Sequence, residues 1–542
     1  MAKQGFELRT TAVSTAINQA NTTSSSRKAF EPLDDDGHLA RLGKRPLLTR
    51  SFGFMSILGF SCSSLISWEG ILVTSVGSLK NGGPAGVVWG FLINWIGMLS
   101  TFVAIAELAS IAPTVGGQYH WVAMMAPKSC SSFLTYLTAW LTVVAWQFFA
   151  CSTGFLLATI TQGIVLLANS NYVPQTWHTV LLIWAIMLFA VVLNSTTSRA
   201  LANFEGLVLI VHLVGFFCVL IPLVYFAPHR EPAFVFTTFL NGGGWESQAV
   251  SFFIGLPTTA MSLLGADSAV HMSEEIQSAA TVVPQALIYT IMINGTLALA
   301  MAIAMIFSIG DLEAALNAEA TLFYPFLEIF HSAVKSTAGA CIMASIILIM
   351  GIASGVGVYA SASRMLWSFS RDRGMPGHKY LFRLSKNSLP VPAILVTLVI
   401  TILLSLIVLG SSVAFSALLS LTVAALYSTY LLVCILLLWR RLDGSIAHPS
   451  DYSLDTSRLT WGPWRLAEPL GTINNGFACI YLGFMLFWSF WPPITPTTPK
   501  TANFSVLILG AVVLFSLLWY IVRARHSFRG PLREVDVGAM PR

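Results

Sequence analysis

Twelve long apolar stretches most constrain the fold open to this chain. They fall at about 51–79, 84–111, 131–168, 177–194, 203–227, 248–270, 284–310, 337–362, 391–409, 413–439, 471–491 and 504–522. At roughly 1.5 Å per residue, each is long enough to cross a hydrocarbon core about 30 Å thick. Within that core every backbone N–H and C=O must be satisfied by protein, which leaves helices or closed barrels. Barrel strands need only about 9–11 residues, so stretches of this length read as helices. Charged residues make up 10% of the chain, against about 25% in ordinary soluble domains. The expected fold is an all-α polytopic membrane protein with twelve transmembrane helices.

The basic residues orient it. With the N-terminus inside, only Lys80, Arg230, Lys335 and Lys500 of the 29 Lys and Arg fall outside. Arg41, Lys44, Arg45, Arg50 and the run from Arg364 to Lys386 fall inside, and the short loops alone keep the bias through Arg371, Arg373, Lys379, Arg383, Arg440 and Arg441. By the positive-inside rule both termini are expected in the cytoplasm, with the plasma membrane as the expected location. Residues 1–45 are polar, with TTSSSRK at 22–28 and the acidic run Asp34-Asp35-Asp36, and lack an apolar h-region. They read as a disordered cytoplasmic tail without a cleavable signal peptide. Residues 524–542 read as a second cytoplasmic tail. The net charge of +5 follows from this placement and does not point to nucleic acid. The seven cysteines lie mostly in apolar runs without metal-ligand spacing, so neither a metal site nor a disulfide framework is expected. Sequons at Asn21, Asn194, Asn294 and Asn503 fall in the cytoplasm, inside a span or at the membrane surface, all poor positions for glycosylation. No Walker A, HExxH or GxSxG pattern is present, so no ATP-driven or hydrolytic chemistry, and no cofactor, is expected.

Two of the apolar stretches are interrupted. Residues 261–284 read MSLLGADSAVHMSEEIQSAATVVP, with Gly265-Ala266-Asp267 in mid-span. An acid at mid-bilayer costs roughly 2.5–3.5 kcal/mol on the lenient insertion scale, and freed backbone groups cost several kcal/mol each unless they line a cavity or bury in protein. Such a break is a place to hold a polar solute, as in the discontinuous helices of secondary transporters. The first span, SFGFMSILGFSCSSLISWEGILVTSVG, carries Ser61, Ser63, Ser64 and Glu69 between Gly59 and Gly70. Hydroxyls cap freed backbone groups and so ease unwinding. Interruptions five spans apart, in segments crossing in opposite directions, fit two inverted five-helix repeats. The expected plan is a first repeat over 46–240, a second over 241–440, a cytoplasmic loop at 441–470 and two added helices over 471–523.

Three motifs identify a family. ELASIAPTVGGQYHW at 107–121 resembles the junction of the second and third helices of the amino acid–polyamine–organocation superfamily. GADSAVHMSEE at 265–275, followed by Pro284, resembles its sixth-helix signature, and SRMLWSFSRDRGMPG at 363–377 is similar to the loop after its eighth helix. YLTAWLTVVAWQ at 136–147 and HSFRGP at 526–531 are similar to the fungal amino acid/choline transporter branch, which holds choline and GABA permeases. The resemblance covers about 46–533. It implies the leucine-transporter-like inverted-repeat fold and the carriage of small amines or amino acids, with a coupling proton.

Individual residues follow from both readings. Asp267 would pair with a substrate ammonium, hold a gate or cap the broken helix. Glu69 beside Trp68 offers a carboxylate and an indole face to a cation, or lines the outer vestibule. Ser61, Ser63 and Ser64 would meet a substrate carboxylate together with freed half-helix amides, opposite Gly265 and Ala266. The resemblance places the span holding Trp146 and Gln147 beside the site. It also makes Glu107, Arg199, Glu274, Glu275, Arg364 and Asp372 an inner gate rather than surface ion pairs. His212, deep in the fifth span, suits proton coupling by its titration range, or hydrogen-bonded packing. The resulting expectation is a proton-coupled importer of an amino acid, GABA or a choline-like amine, embedded in the lipid bilayer. Export, vacuolar loading and a non-transporting sensor on the same fold remain alternatives.

Overall fold

The computed structural model describes residues 35–447, 459–499 and 501–535. The expectations for 1–34, for 448–458 within the long loop and for 536–542 fall outside the described residues. Among the described residues there is no β-strand beyond two isolated bridges, and twelve helices are long and apolar enough to cross a membrane. Spans 1 to 6 are Phe54–Thr74, Val76–Ile111, Ser131–Ala168, Thr176–Asn194, Ser198–Phe226 and Gln248–Glu275. Spans 7 to 12 are Ala279–Phe307, Thr337–Arg371, Val391–Gly410, Leu421–Leu442, Leu470–Trp488 and Ser505–Ser527. The most apolar stretch of span 1 is 83% buried and that of span 12 only 11%. Span 1 therefore runs through the centre of the bundle, and span 12 lies along the lipid.

Span boundaries follow local chemistry. Thr197, Ser247 and Ser336 each accept a first-turn backbone N–H with their side chains, opening spans 5, 6 and 8. The helix of span 2 begins before the expected residue 84, and Gly83 marks the discrepancy. Its φ of 71° breaks the helix, and a Cβ there would lie 2.7 Å from the Leu240 backbone nitrogen. Residues 76–82 thus form a short approach helix, with Pro84 opening the long membrane helix. The 38-residue span 3 is preceded by a short helix, Gln118–Met125.

Spans 1 and 6 are both broken. Span 1 consists of Phe54–Leu65 and Ser67–Thr74, joined by a left-handed Ile66 at φ 37°. The second half-helix is received by Asn294 of span 7, whose side-chain oxygen accepts the Ser67 N–H at 3.0 Å. Span 6 passes from the helix Gln248–Ala260 through a tight turn and an extended Leu264 to Gly265 at φ 100°, then into a 3-10 stretch Ala266–Glu275. A Cβ at Gly265 would meet the Phe149 ring at 2.7 Å, so both conformation and space call for glycine. Hydroxyls serve the freed carbonyls: Ser61 donates to Ala266 and Ser361 to Ser268, each at 3.4 Å.

The even number of spans puts both described chain ends on one face, here called the terminal face, and they bind each other there. The Glu534 N–H donates to the Gly43 carbonyl at 2.6 Å. Within the stretch expected to be a disordered tail, Asp35–Arg41 is instead helical. The Asp35 carboxylate accepts the backbone N–H groups of Ser278 (2.7 Å) and Ala279 (3.1 Å) at the start of span 7, where the helix dipole favours an anion. On the opposite face, the helices Leu312–Leu322 and Pro325–Val334 form a cap joined to span 3 through Tyr324, whose hydroxyl lies 2.7 Å from that of Thr159.

Candidate functional site

A cavity of about 80 Å³ lies between the two broken helices and spans 3 and 8, with Ser64, Glu69, Phe149, Thr153, Leu264 and Ser354 among its walls. That is room for a few waters, well below the roughly 300–1,000 Å³ of an open ligand pocket, so the site is nearly closed. Glu69 is its one ionisable wall residue among the described residues. The carboxylate is buried, and Oε1 lies 2.9 Å from Nδ1 of His212 in span 5. Trp68 donates its indole N–H to the His212 carbonyl at 3.3 Å, with the two rings 6.0 Å apart. Oε2 of Glu69 and Nε2 of His212 have no partner among the described residues. Two residues assigned separate roles in the sequence are thus one unit, with a free carboxylate oxygen beside a cavity.

The remaining expected substrate contacts divide. Ser64 lines the cavity with an unpartnered hydroxyl, and its carbonyl accepts from Ser354 at 3.2 Å. Ser61 and Ala266 meet each other at the break. Ser63 turns away and donates to Glu205 of span 5. Gln147 donates to the Ala362 carbonyl and the Thr397 hydroxyl, each at 3.2 Å. Trp146 packs edge-on against His271 at 5.2 Å. Neither borders the cavity, and from span 3 Phe149 and Thr153 do so instead. Gly265 supplies the turn while Leu264 reaches the cavity wall.

Asp267 does not border the cavity, which departs from its expected pairing with a substrate amine. Oδ2 accepts from the Gln118 amide at 2.6 Å, Oδ1 accepts from the Tyr430 hydroxyl at 2.5 Å, and Nε2 of His271 lies 3.5 Å away. A buried carboxylate with both oxygens taken ties span 6 to the short helix Gln118–Met125 and to span 10. Gate or scaffold is the role this geometry allows.

Below the cavity, toward the terminal face, charge pairs close the bundle. Arg364 of span 8 reaches Glu275 at 3.0 Å and Asn194 of span 4 at 2.7 Å. Arg371 reaches Glu274 at 2.8 Å and is also held by Glu534 from the C-terminal segment. Asp372 takes Lys44 from before span 1, the Tyr119 hydroxyl at 2.7 Å and the Leu532 N–H at 2.9 Å. Glu107 belongs to a neighbouring cluster, bound by Arg441 and by the Leu466 N–H at 2.9 Å. Arg199 is exposed and stands outside these pairs, unlike the other five residues expected there. Burial alone would raise the Glu534 carboxyl, yet Arg371 holds it below the usual carboxylate range. A depressed pKa means that its contribution is present at neutral pH and is lost as pH falls through the lowered value. His120, beside this cluster, is pushed down to about 3 by burial and then by the Lys44 charge, so it stays neutral at physiological pH.

The sequence reading passed over four partners and one acid. Lys44, Arg371, Arg441 and Glu534 complete these ion pairs. Arg371 lies inside a motif singled out above, but its partners are remote in sequence. The acid is Glu205, fully buried in span 5, whose Oε2 accepts from Ser63 and whose Oε1 has no partner among the described residues. A Cβ built on Gly357 would lie 3.7 Å from that Oε1 and 2.3 Å from the Ser64 hydroxyl, so Glu205 and the cavity-lining Ser64 both pack against Gly357. An acid within an apolar span was signal enough to find it.

A profile of the family described as amino acid permease matches residues 52–513. The chain is similar to the choline transporter of Saccharomyces cerevisiae, 28% identical over 508 residues, covering 92% of this chain and 86% of that one. It is 29% identical over 522 residues to the amino-acid permease BAT1 homolog of Oryza sativa subsp. japonica, covering 93% and 96% of the two chains. It is 26% identical over 524 residues to amino-acid permease BAT1 of Arabidopsis thaliana, covering 94% and 98%.

Proposed function

The chain belongs to the amino acid permease family, within the amino acid–polyamine–organocation superfamily, and from that premise we propose proton-coupled import of a small cationic or zwitterionic amine. It is a multi-pass membrane transporter of amino acids or choline, and not an enzyme. The observation that carries the finer reading is Glu69 on the cavity wall, held from behind by His212. A buried carboxylate with one free oxygen at a cavity suits a substituted ammonium by its charge, while Trp68 stands behind the wall and packs against His212 and Phe216. A zwitterion would set its carboxylate against the Ser64 hydroxyl and the freed amides of the second half-helix of span 1.

The coupling proton is assigned to Glu205. Glu205 has a hydroxyl for a partner and no cation against it among the described residues, so an uncompensated charge there is expensive and a proton relieves it. Its hydrogen bond to Ser63, the neighbour of cavity-lining Ser64, links that proton to the cargo. Binding must favour outward- and inward-facing states almost equally, or the carrier would trap what it takes up.

Uptake tests this reading. Labelled choline, GABA, ethanolamine and the common amino acids are offered to cells carrying the protein and to vector-only cells. One class should saturate and compete with the others, and a protonophore should collapse its accumulation. No uptake above vector for any of them removes the importer, and uptake indifferent to the protonophore removes the proton.

We also place the terminal face in the cytoplasm of the plasma membrane, from the distribution of Lys and Arg. The breaks in spans 1 and 6 support inverted repeats over 46–240 and 241–440. Lys386 and Lys335 are both exposed, the first in the loop between spans 8 and 9, the second before span 8. In a background without reactive native cysteines, Lys335→Cys should react with a membrane-impermeant thiol reagent on intact cells. Lys386→Cys should react only after permeabilisation. The reverse pattern inverts the topology.

A further inference from the structure

A second cavity, of about 540 Å³, opens where the starts of spans 1 and 5 meet the connection between spans 6 and 7 and the loop before span 9. Its walls include Arg50, Ser198, Arg199, Gln277 and Asn387, with two cations and no acid lining it. Ser198 is only 5% exposed, and its hydroxyl has no partner among the described residues. Two nitrogens of Arg50 face Asp35 and Asp36, at 3.9 and 2.6 Å, while its Nη2 is buried without a partner. The cavity also meets the N-terminus of span 5, a 29-residue helix opened by the Thr197 cap. Donors, positive charge and a helix dipole therefore converge on one space, and each favours an anion.

The surroundings show which kind of anion. Arg199 lies on the same face of span 5 as Leu207, Ile210, Val214, Phe217 and Ile221, by the three- and four-residue spacing of a helix. Those apolar side chains are 54–60% exposed and form the lipid-facing stripe of the span. Arg199 caps that stripe at its terminal-face end, at the depth where lipid headgroups sit. We propose that this cavity binds the phosphate of an anionic phospholipid between Arg50 and Arg199, with the Ser198 hydroxyl donating and the acyl chains lying along span 5. Free phosphate shares this chemistry but cannot use the stripe. The site is independent of the cargo, and its ligand would tie the start of span 1 to the start of span 5.

The test uses the full-length protein in neutral phosphatidylcholine nanodiscs and measures binding of dioctanoyl phosphatidic acid, with glycerol phosphate and inorganic phosphate as soluble arms. Saturable binding of the lipid is expected, weakened about tenfold by Arg199→Gln, as for loss of one charge-assisted contact. Ser198→Ala should weaken it less, and Arg383→Gln, an exposed arginine elsewhere on the terminal face, should leave it unchanged. Because Arg199 is exposed and outside the gate pairs, its replacement should not compromise folding, which the retained elution profile checks. Soluble phosphates binding as tightly as the lipid would overturn the lipid assignment. No saturable binding, or equal binding by the wild type and Arg199→Gln, would overturn the site.

Discussion

Glu69→Gln is expected to lower apparent affinity for the transported amine by about 10–100-fold while leaving the protein at the cell surface. Glutamine keeps the shape of the side chain and can still hydrogen-bond His212, so packing around Trp68 is retained. What disappears is the single negative charge on the cavity wall. A hydrogen bond to a charged partner is worth about 1.5–3 kcal/mol, and each 1.4 kcal/mol is roughly tenfold. Asp267→Asn should behave differently, because its carboxylate is occupied by Gln118 and Tyr430. An amide can accept from only one side, so surface expression or turnover should fall with affinity nearly unchanged. Uptake kinetics normalised to surface abundance separate the two cases. If the affinity loss followed Asp267→Asn and spared Glu69→Gln, the cargo charge would belong to span 6 and the reading of the cavity would be wrong.

That contrast shows where sequence reasoning reached and where it stopped. The twelve spans were readable because length and apolarity in lipid are nearly sufficient for a helix. Span 3 and the starts of spans 6, 8 and 9 fall on the expected residues. Both breaks were readable because Gly, Ser and Asp within apolar runs signal freed backbone. The turning residue of span 1 was not, since it is Ile66, a β-branched side chain in a left-handed conformation that local preference argues against. Side-chain pairing was beyond the sequence. Glu69 and His212 stand 143 positions apart and Arg371 and Glu534 163 apart, and only the packed bundle brings them together. Arg199 shows the converse: the resemblance grouped it with the gate, but it is exposed on the wall of the second cavity, outside those ion pairs.

Arg364→Gln is expected to reduce uptake per surface molecule by more than tenfold, through the conformational equilibrium rather than through binding. Arg364 and Glu275 are both buried, and truncating one partner strands the other's charge. Such a loss costs about 3–5 kcal/mol in a buried pair. The cost falls on the state in which the terminal face is closed, since on opening water can hydrate Glu275. Moving a two-state equilibrium from 1:99 to 99:1 takes about 5.5 kcal/mol, so one truncation accomplishes much of that shift. A cysteine at Ser64, on the cavity wall, should then react faster with a thiol reagent applied from the terminal face. Adding Glu275→Gln to Arg364→Gln removes the stranded charge and should slow that reaction again, although neither change restores the lost pair. Glu275→Lys places two cations together and should open the face further. This pattern distinguishes a gate from a folding element, because a folding defect would lower surface abundance without ordering the reactivities. Unchanged uptake and unchanged Ser64→Cys reactivity in Arg364→Gln would leave the pair a static strut.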